Sequence, residues 1–152
     1  MYFWKIDKLS EELISSELTE AESFKYLMAN AVLVALAAIQ YEAPNEYDTW
    51  AGIAGFFITI FGLWFIYKCN GGKNGRQIMQ RYLSVGFVVL IRLVVLFMLP
   101  ATIALHVISE VYYGGMSAET NISLFILMLI SEVVLILWIA KHINHIAKST
   151  HA

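Results

Sequence analysis

Arg92 and Glu132 each stand inside a long apolar stretch of sequence. Placing either residue type at the centre of a membrane-spanning helix costs about 2.5–3.5 kcal/mol on insertion scales, so such groups pair, line water or serve function. Arg92 follows Arg81 by 11 residues, about 16 Å at 1.5 Å per residue, and Glu132 precedes Lys141 by nine, about 13–14 Å. If Arg81 and Lys141 mark one membrane face, the two charges share a depth on consecutive antiparallel helices. That predicts an intramembrane ion pair, which is either a clamp fixing how two helices face each other or part of a proton, ion or substrate path.

His106 lies 14 residues beyond Arg92, which at about 100° per residue returns it to within about 40° of the same helical face. Glu110, one turn on, extends this into a candidate polar path with Asn30, whose amide needs a partner on another helix because an unpaired amide in hydrocarbon is costly. The bland alternative for His106 and Glu110 is a wet outer interface.

His142 and His145 share a helical face near the C-terminus, but zinc needs at least one more placed ligand, so no metal site is expected. The segment from Asn70 to Arg76 is rich in glycine and basic residues, yet lacks the order of a nucleotide-binding loop and reads as a turn. No catalytic triad, metalloprotease helix or dinucleotide fingerprint occurs. The single cysteine, Cys69, excludes an internal disulfide framework. No enzyme activity, cofactor or nucleic-acid role is expected.

The elements that must position these residues follow from composition. Of 152 residues, 59% are hydrophobic and 14% charged, against roughly half and a quarter in soluble proteins. The expected fold is all-α, an integral membrane bundle of four transmembrane helices, with spans at about 20–40, 50–68, 82–108 and 122–141 forming one domain over 20–148. The first span is the weakest, since its uninterrupted apolar run, Tyr26 to Ile39, is shorter than the roughly 20 residues a crossing needs. A capping box of Thr19 and Glu22 supports starting that helix near Glu20. Ala35 to Ala37 resembles a signal-peptidase site, but three lysines against six acids precede it, which argues against a cleaved signal.

Residues 1–18 place Tyr2, Ile6, Leu9 and Leu13 on one stripe, an amphipathic N-terminal helix that either lies in the membrane interface or caps the bundle's own end. Pro100 predicts a kink over Leu96 to Pro100. Small residues form candidate seams for close helix approach, Ala31 and Ala35 on the first span and Gly55, Thr59 and Gly62 on the second. The short connection between these spans suggests that they pack on each other.

Function is less legible. The favoured reading is a small non-enzymatic inner-membrane component, bathed in membrane lipids, that associates with itself as a homo-oligomer or with a larger membrane partner. The alternative is a small oligomeric channel or transporter using Arg92 and Glu132. A lipid-directed membrane enzyme is a third class, resting only on His106 and Glu110.

Orientation follows from the basic residues. Of ten Lys and Arg, all but Arg92 fall in residues 1–25, in the 68–81 segment or from Lys141 onward, and cytoplasmic segments carry this excess. Both termini are therefore expected in the cytoplasm. Reporter fusions at Glu46 and Gly115 should read as external, and those at Lys73 and beyond Lys148 as cytoplasmic. A cytoplasmic reading at Glu46 would remove the first span.

Overall fold

The computed structural model describes residues 1–37, 46–115 and 118–150, all helix, turn or short connection. The α-helices are α1 (Ile6–Ser15), α2 (Glu20–Ala37), α3 (Glu46–Cys69), α4 (Ile78–Leu93), α5 (Leu99–Tyr113) and α6 (Ala118–Thr150). A 3₁₀ turn, Gly72–Asn74, follows α3, and a π turn, Val94–Met98, joins α4 to α5.

Local chemistry explains several boundaries. At the start of α2 the Thr19 hydroxyl accepts from the Glu22 amide at 3.3 Å, while the Glu22 carboxylate accepts from the Thr19 amide at 3.1 Å, so each residue satisfies an orphan donor of the other. After α3, Gly71 turns the chain with φ 97°, a conformation open to glycine and strained for most other residues. The π turn precedes Pro100, which has no N–H to give the preceding turn. There the amide of Leu99 reaches back to the carbonyl of Val94, so the expected break takes the form of a widened turn.

Three helices are long and apolar enough to cross a membrane: Tyr47–Cys69, Ile78–Tyr112 and Ile122–Thr150. The helix α2 carries Glu20, Glu22 and Lys25 within its 18 residues, and is not among them. The rest of the expected first span, residues 38–40, lies outside the described residues. The second and third crossing segments have 35 and 29 residues, about 52 and 43 Å of helix against a hydrocarbon core of about 30 Å. They therefore extend beyond hydrocarbon.

The helix α6 is the shared partner, touching α1, α3, α4 and α5, while α2 touches α4. The expected pairing of α2 with α3 is not the main contact of either helix. Instead α3 runs parallel to α6, as Tyr47 beside Phe125, Gly55 beside Glu132 and Gly62 beside Ile136 show. Gly55 and Gly62 allow this approach. A Cβ on Gly55 would lie 2.9 Å from Glu132 Oε1, and one on Gly62 would collide with the Ile136 side chain. By contrast, Ala31 and Ala35 on α2 are exposed.

The core gathers where α1, α2, α4 and α6 meet. Ile6, Leu9 and Leu13 of α1 are buried with Tyr26, Val85, Val88, Val89, Ile143 and Ile146. The edge of Tyr26 meets Phe87, and its hydroxyl accepts from the backbone amide of Tyr2 at 2.8 Å. The apolar stripe of α1 is thus used against the chain's own helices. Outward faces of α3 and α5 remain apolar and exposed, including Phe57, Phe61, Trp64, Ile103 and Val107, as helices facing lipid require.

Replacing Gly62 with leucine should cost about 1–3 kcal/mol through overpacking between α3 and α6. The same change at Gly52, where an added Cβ meets nothing within 4 Å, should be nearly neutral. Thermal unfolding of both variants in detergent checks the contrast.

Candidate functional site

Glu132 sits on the α3 side of α6, facing Gly55. The absence of a side chain at Gly55 gives the carboxylate room between the helices, and Oε2 is buried with no hydrogen-bond donor. Beside it is a cavity of about 80 Å³ lined by Thr59, Leu63, Ile66, Tyr82, Leu135 and Ile139 among others. That is space for a few waters. The lining extends from Glu132 two turns along α6, and Thr59 and Tyr82 add hydroxyls to an otherwise apolar wall.

Arg92 is not the partner of Glu132. Its Nε donates to the backbone carbonyl of Trp4 at 3.0 Å and its Nη2 donates to the same oxygen. The guanidinium also lies 5.6 Å from the centre of the Trp4 ring. No salt bridge is found among the described residues. The reason is rotational. Arg92 turns toward the N-terminal segment, Glu132 toward α3, and the α4–α6 contact that was to unite them is filled by apolar side chains. Nor does Arg81 mark a membrane face, because it is inside the bundle rather than in a solvated loop.

The other candidate residues disperse. Asn30 donates from Nδ2 to the carbonyl of Tyr26 on its own helix at 2.7 Å and to that of Leu83 on α4 at 3.1 Å. It is a tie between α2 and α4, separate from the Glu132 cavity. His106 is exposed, with Nδ1 3.0 Å from the Thr102 carbonyl, and Glu110 is exposed as well. The π turn lies between Arg92 and His106, so fourteen residues no longer bring the chain back to the same face. The expected path through Asn30, Arg92, His106 and Glu110 is not assembled. Of the seam residues, Gly55, Thr59 and Gly62 belong to the α3–α6 contact and its cavity.

Arg81 is the residue that sequence reasoning misplaced. Only 2% exposed, it donates from Nη1 to Asn70 Oδ1 at 3.0 Å and from Nη2 to Thr150 Oγ1 at 3.1 Å, while Nε has no partner. Asn70 is also buried, and its own amide donates to the carbonyl of Arg76 at 3.1 Å. One guanidinium therefore joins the end of α3, the start of α4 and the end of α6. Among the described residues no carboxylate balances it, but two helix C-termini converge there, each carrying roughly half a negative charge. A signal was present in the sequence. Arg81, Ser84, Val85 and Val88 share a stripe at helical spacing, and all four are buried.

At the same end of the molecule, a second cavity of about 300 Å³ separates α1 from α6, with Asp7, Ser10, Glu11, Lys141, His142 and His145 on its walls. Among the described residues, no three His, Cys, Asp or Glu side chains are grouped to hold a metal ion. The chain matches no family model, and neither a curated protein nor a solved structure matches it. The functional reading therefore rests on these sites.

Lysine at position 81 cannot reproduce the two-armed donation of arginine. Arg81→Lys should cost about 1.5–3 kcal/mol, the worth of one hydrogen bond to a charged group. It should also speed tryptic cleavage at Lys73 and Arg76 by loosening Asn70. Thermal unfolding and limited proteolysis of the purified protein measure the two effects.

Proposed function

We propose that this chain is a small, non-enzymatic, multi-pass membrane protein of the channel or transporter class, with Glu132 as its working group. The observation that carries the reading is a carboxylate oxygen buried without a donor, in a helix able to cross a membrane, beside a cavity with room for water. A buried ionisable group that is already paired is self-satisfied, whereas an unpaired one binds whatever proton or cation reaches it. With Arg92 engaged by Trp4, the clamp reading loses its second half.

In this proposal a proton is the transported species. Glu132 offers two oxygens, and the nearby hydroxyls of Thr59 and Tyr82 are suited to ordering a short chain of water. A bare metal cation would need more oxygen ligands than this wall provides. The protein sits in an inner membrane with both termini cytoplasmic, α2 belongs to a first crossing, and α1 stays on the cytoplasmic side.

A second reading, association through helix faces, is favoured by α2. Its Ala31 and Ala35 are exposed and unused by the chain's own contacts, which suits close approach of another copy. The two readings are compatible, since a small transporter gains a continuous path by assembling.

Reconstituted liposomes under a pH gradient provide the test. Wild-type protein should carry proton flux above protein-free vesicles, and Glu132→Gln should lower it roughly tenfold or more, as for loss of a proton-transfer group, without unfolding the protein. Equal flux in the variant, or no flux from the wild type, would sink the proposal. Oligomeric state in detergent, compared between wild type and Ala35→Leu, separates the second reading.

A further inference from the structure

The cavity between α1 and α6 has opposite charges on its two walls, with Asp7 and Glu11 from α1 facing Lys141 from α6. The imidazoles of His142 and His145 lie on the lysine's wall. Among the described residues no salt bridge closes across it. Oppositely charged side chains on facing helices normally collapse onto each other. Here a space of about 300 Å³ keeps them apart, at the lower end of the range for small-molecule sites.

Ser10 supplies an independent indication. It is 5% exposed and lines this cavity, yet its hydroxyl has no hydrogen-bond partner. A buried hydroxyl without a partner costs free energy that a ligand's hydrogen bond would recover.

The position of the cavity indicates what enters it. Lys141 is the first charged residue after the apolar run that begins at Ile122, apart from Glu132, so the cavity lies where hydrocarbon gives way to headgroups. Directly below Lys141 on the same stripe are Val134 and Leu137, which are 37% and 55% exposed. A ligand held here would carry both charges at the cavity and an apolar tail along that stripe.

We propose that this is a binding site for a zwitterionic phospholipid with a primary ammonium, a phosphatidylethanolamine. The phosphate lies against Lys141 and the histidines, the ammonium against Asp7 and Glu11, and Ser10 completes the hydrogen bonding. A purely anionic lipid would leave the two acids facing like charge. A quaternary ammonium would have no N–H to give them. The site is separate from the Glu132 cavity, with which it shares no lining residue.

Native mass spectrometry of the full-length protein with an equimolar mixture of phosphatidylethanolamine, phosphatidylcholine and phosphatidylglycerol tests this. The ethanolamine lipid should be retained over each of the others by about fivefold, the order of one hydrogen bond. Lys141→Gln and the double change Asp7→Asn with Glu11→Gln should each abolish the preference, and Ser10→Ala should reduce it. Lys148→Gln, outside the cavity, should leave it intact. Equal retention of phosphatidylglycerol would show a simple anion site and overturn the proposal. So would a rise in thermal midpoint with soluble phosphoethanolamine equal to that with the lipid, since the headgroup alone would then be the ligand. If either acidic or basic variant fails to fold, wild-type selectivity among the three lipids decides by itself.

Discussion

A single long helix, α6, has to satisfy hydrocarbon, a polar boundary and four neighbouring helices at once, and the arrangement of the protein follows from how its faces are divided. One face receives α3 through glycine, because lipid offers no hydrophobic force between helices and only close approach gives strong dispersion contact. Another is covered by α4. The polar end receives α1, whose isoleucine and leucine stripe would otherwise meet water. Each helix that docks on α6 therefore removes a different kind of cost, and the two cavities are where that coverage is incomplete.

The charged residues divide in the same way. Arg81 is buried with neutral acceptors and helix ends, Arg92 is tied to a backbone carbonyl and an aromatic face, and Glu132 is left with an empty oxygen. Both arginines have found uncharged partners. This is economical for a guanidinium, which is weakly hydrated, always charged and rich in donors. A carboxylate has no donors of its own when ionised, and no side chain hydrogen-bonds Glu132 Oε2. The asymmetry between the arginines and the glutamate is therefore chemical, and it sets Glu132 apart as the group still able to take a partner.

Much of this is legible in the sequence, and the limits are instructive. The long apolar helices follow from composition because a bilayer admits few alternatives. The capping of α2 follows from two residues three apart. That Asn30 needs an acceptor follows from its amide, but Leu83 could not be named, because helix pairing depends on three-dimensional choices that chain order only weakly constrains. The short link between α2 and α3 suggested contact between them, whereas glycine at positions 55 and 62 drew α3 to α6. Arg81 was read as a boundary marker because basic residues usually are. Its burial depends on Asn70 and Thr150, which lie 11 and 69 positions away in sequence.

The π turn at Val94–Met98 has a consequence for how this chain can vary. Such a turn accommodates one residue more than an α-helix would, and each residue is worth about 100° of rotation. The outer helix α5 is thereby set in angle separately from α4, so the buried valines of α4 and the lipid-facing residues of α5 need not share a stripe. Deleting one residue within the turn would restore an unbroken helical repeat and leave α5 at about the same angle, because the widened turn already absorbs its extra residue. The exposed isoleucine and valine positions of α5 would keep their faces. The turn is thus a place where the chain can shorten by one residue without moving its outer face or disturbing the inner core.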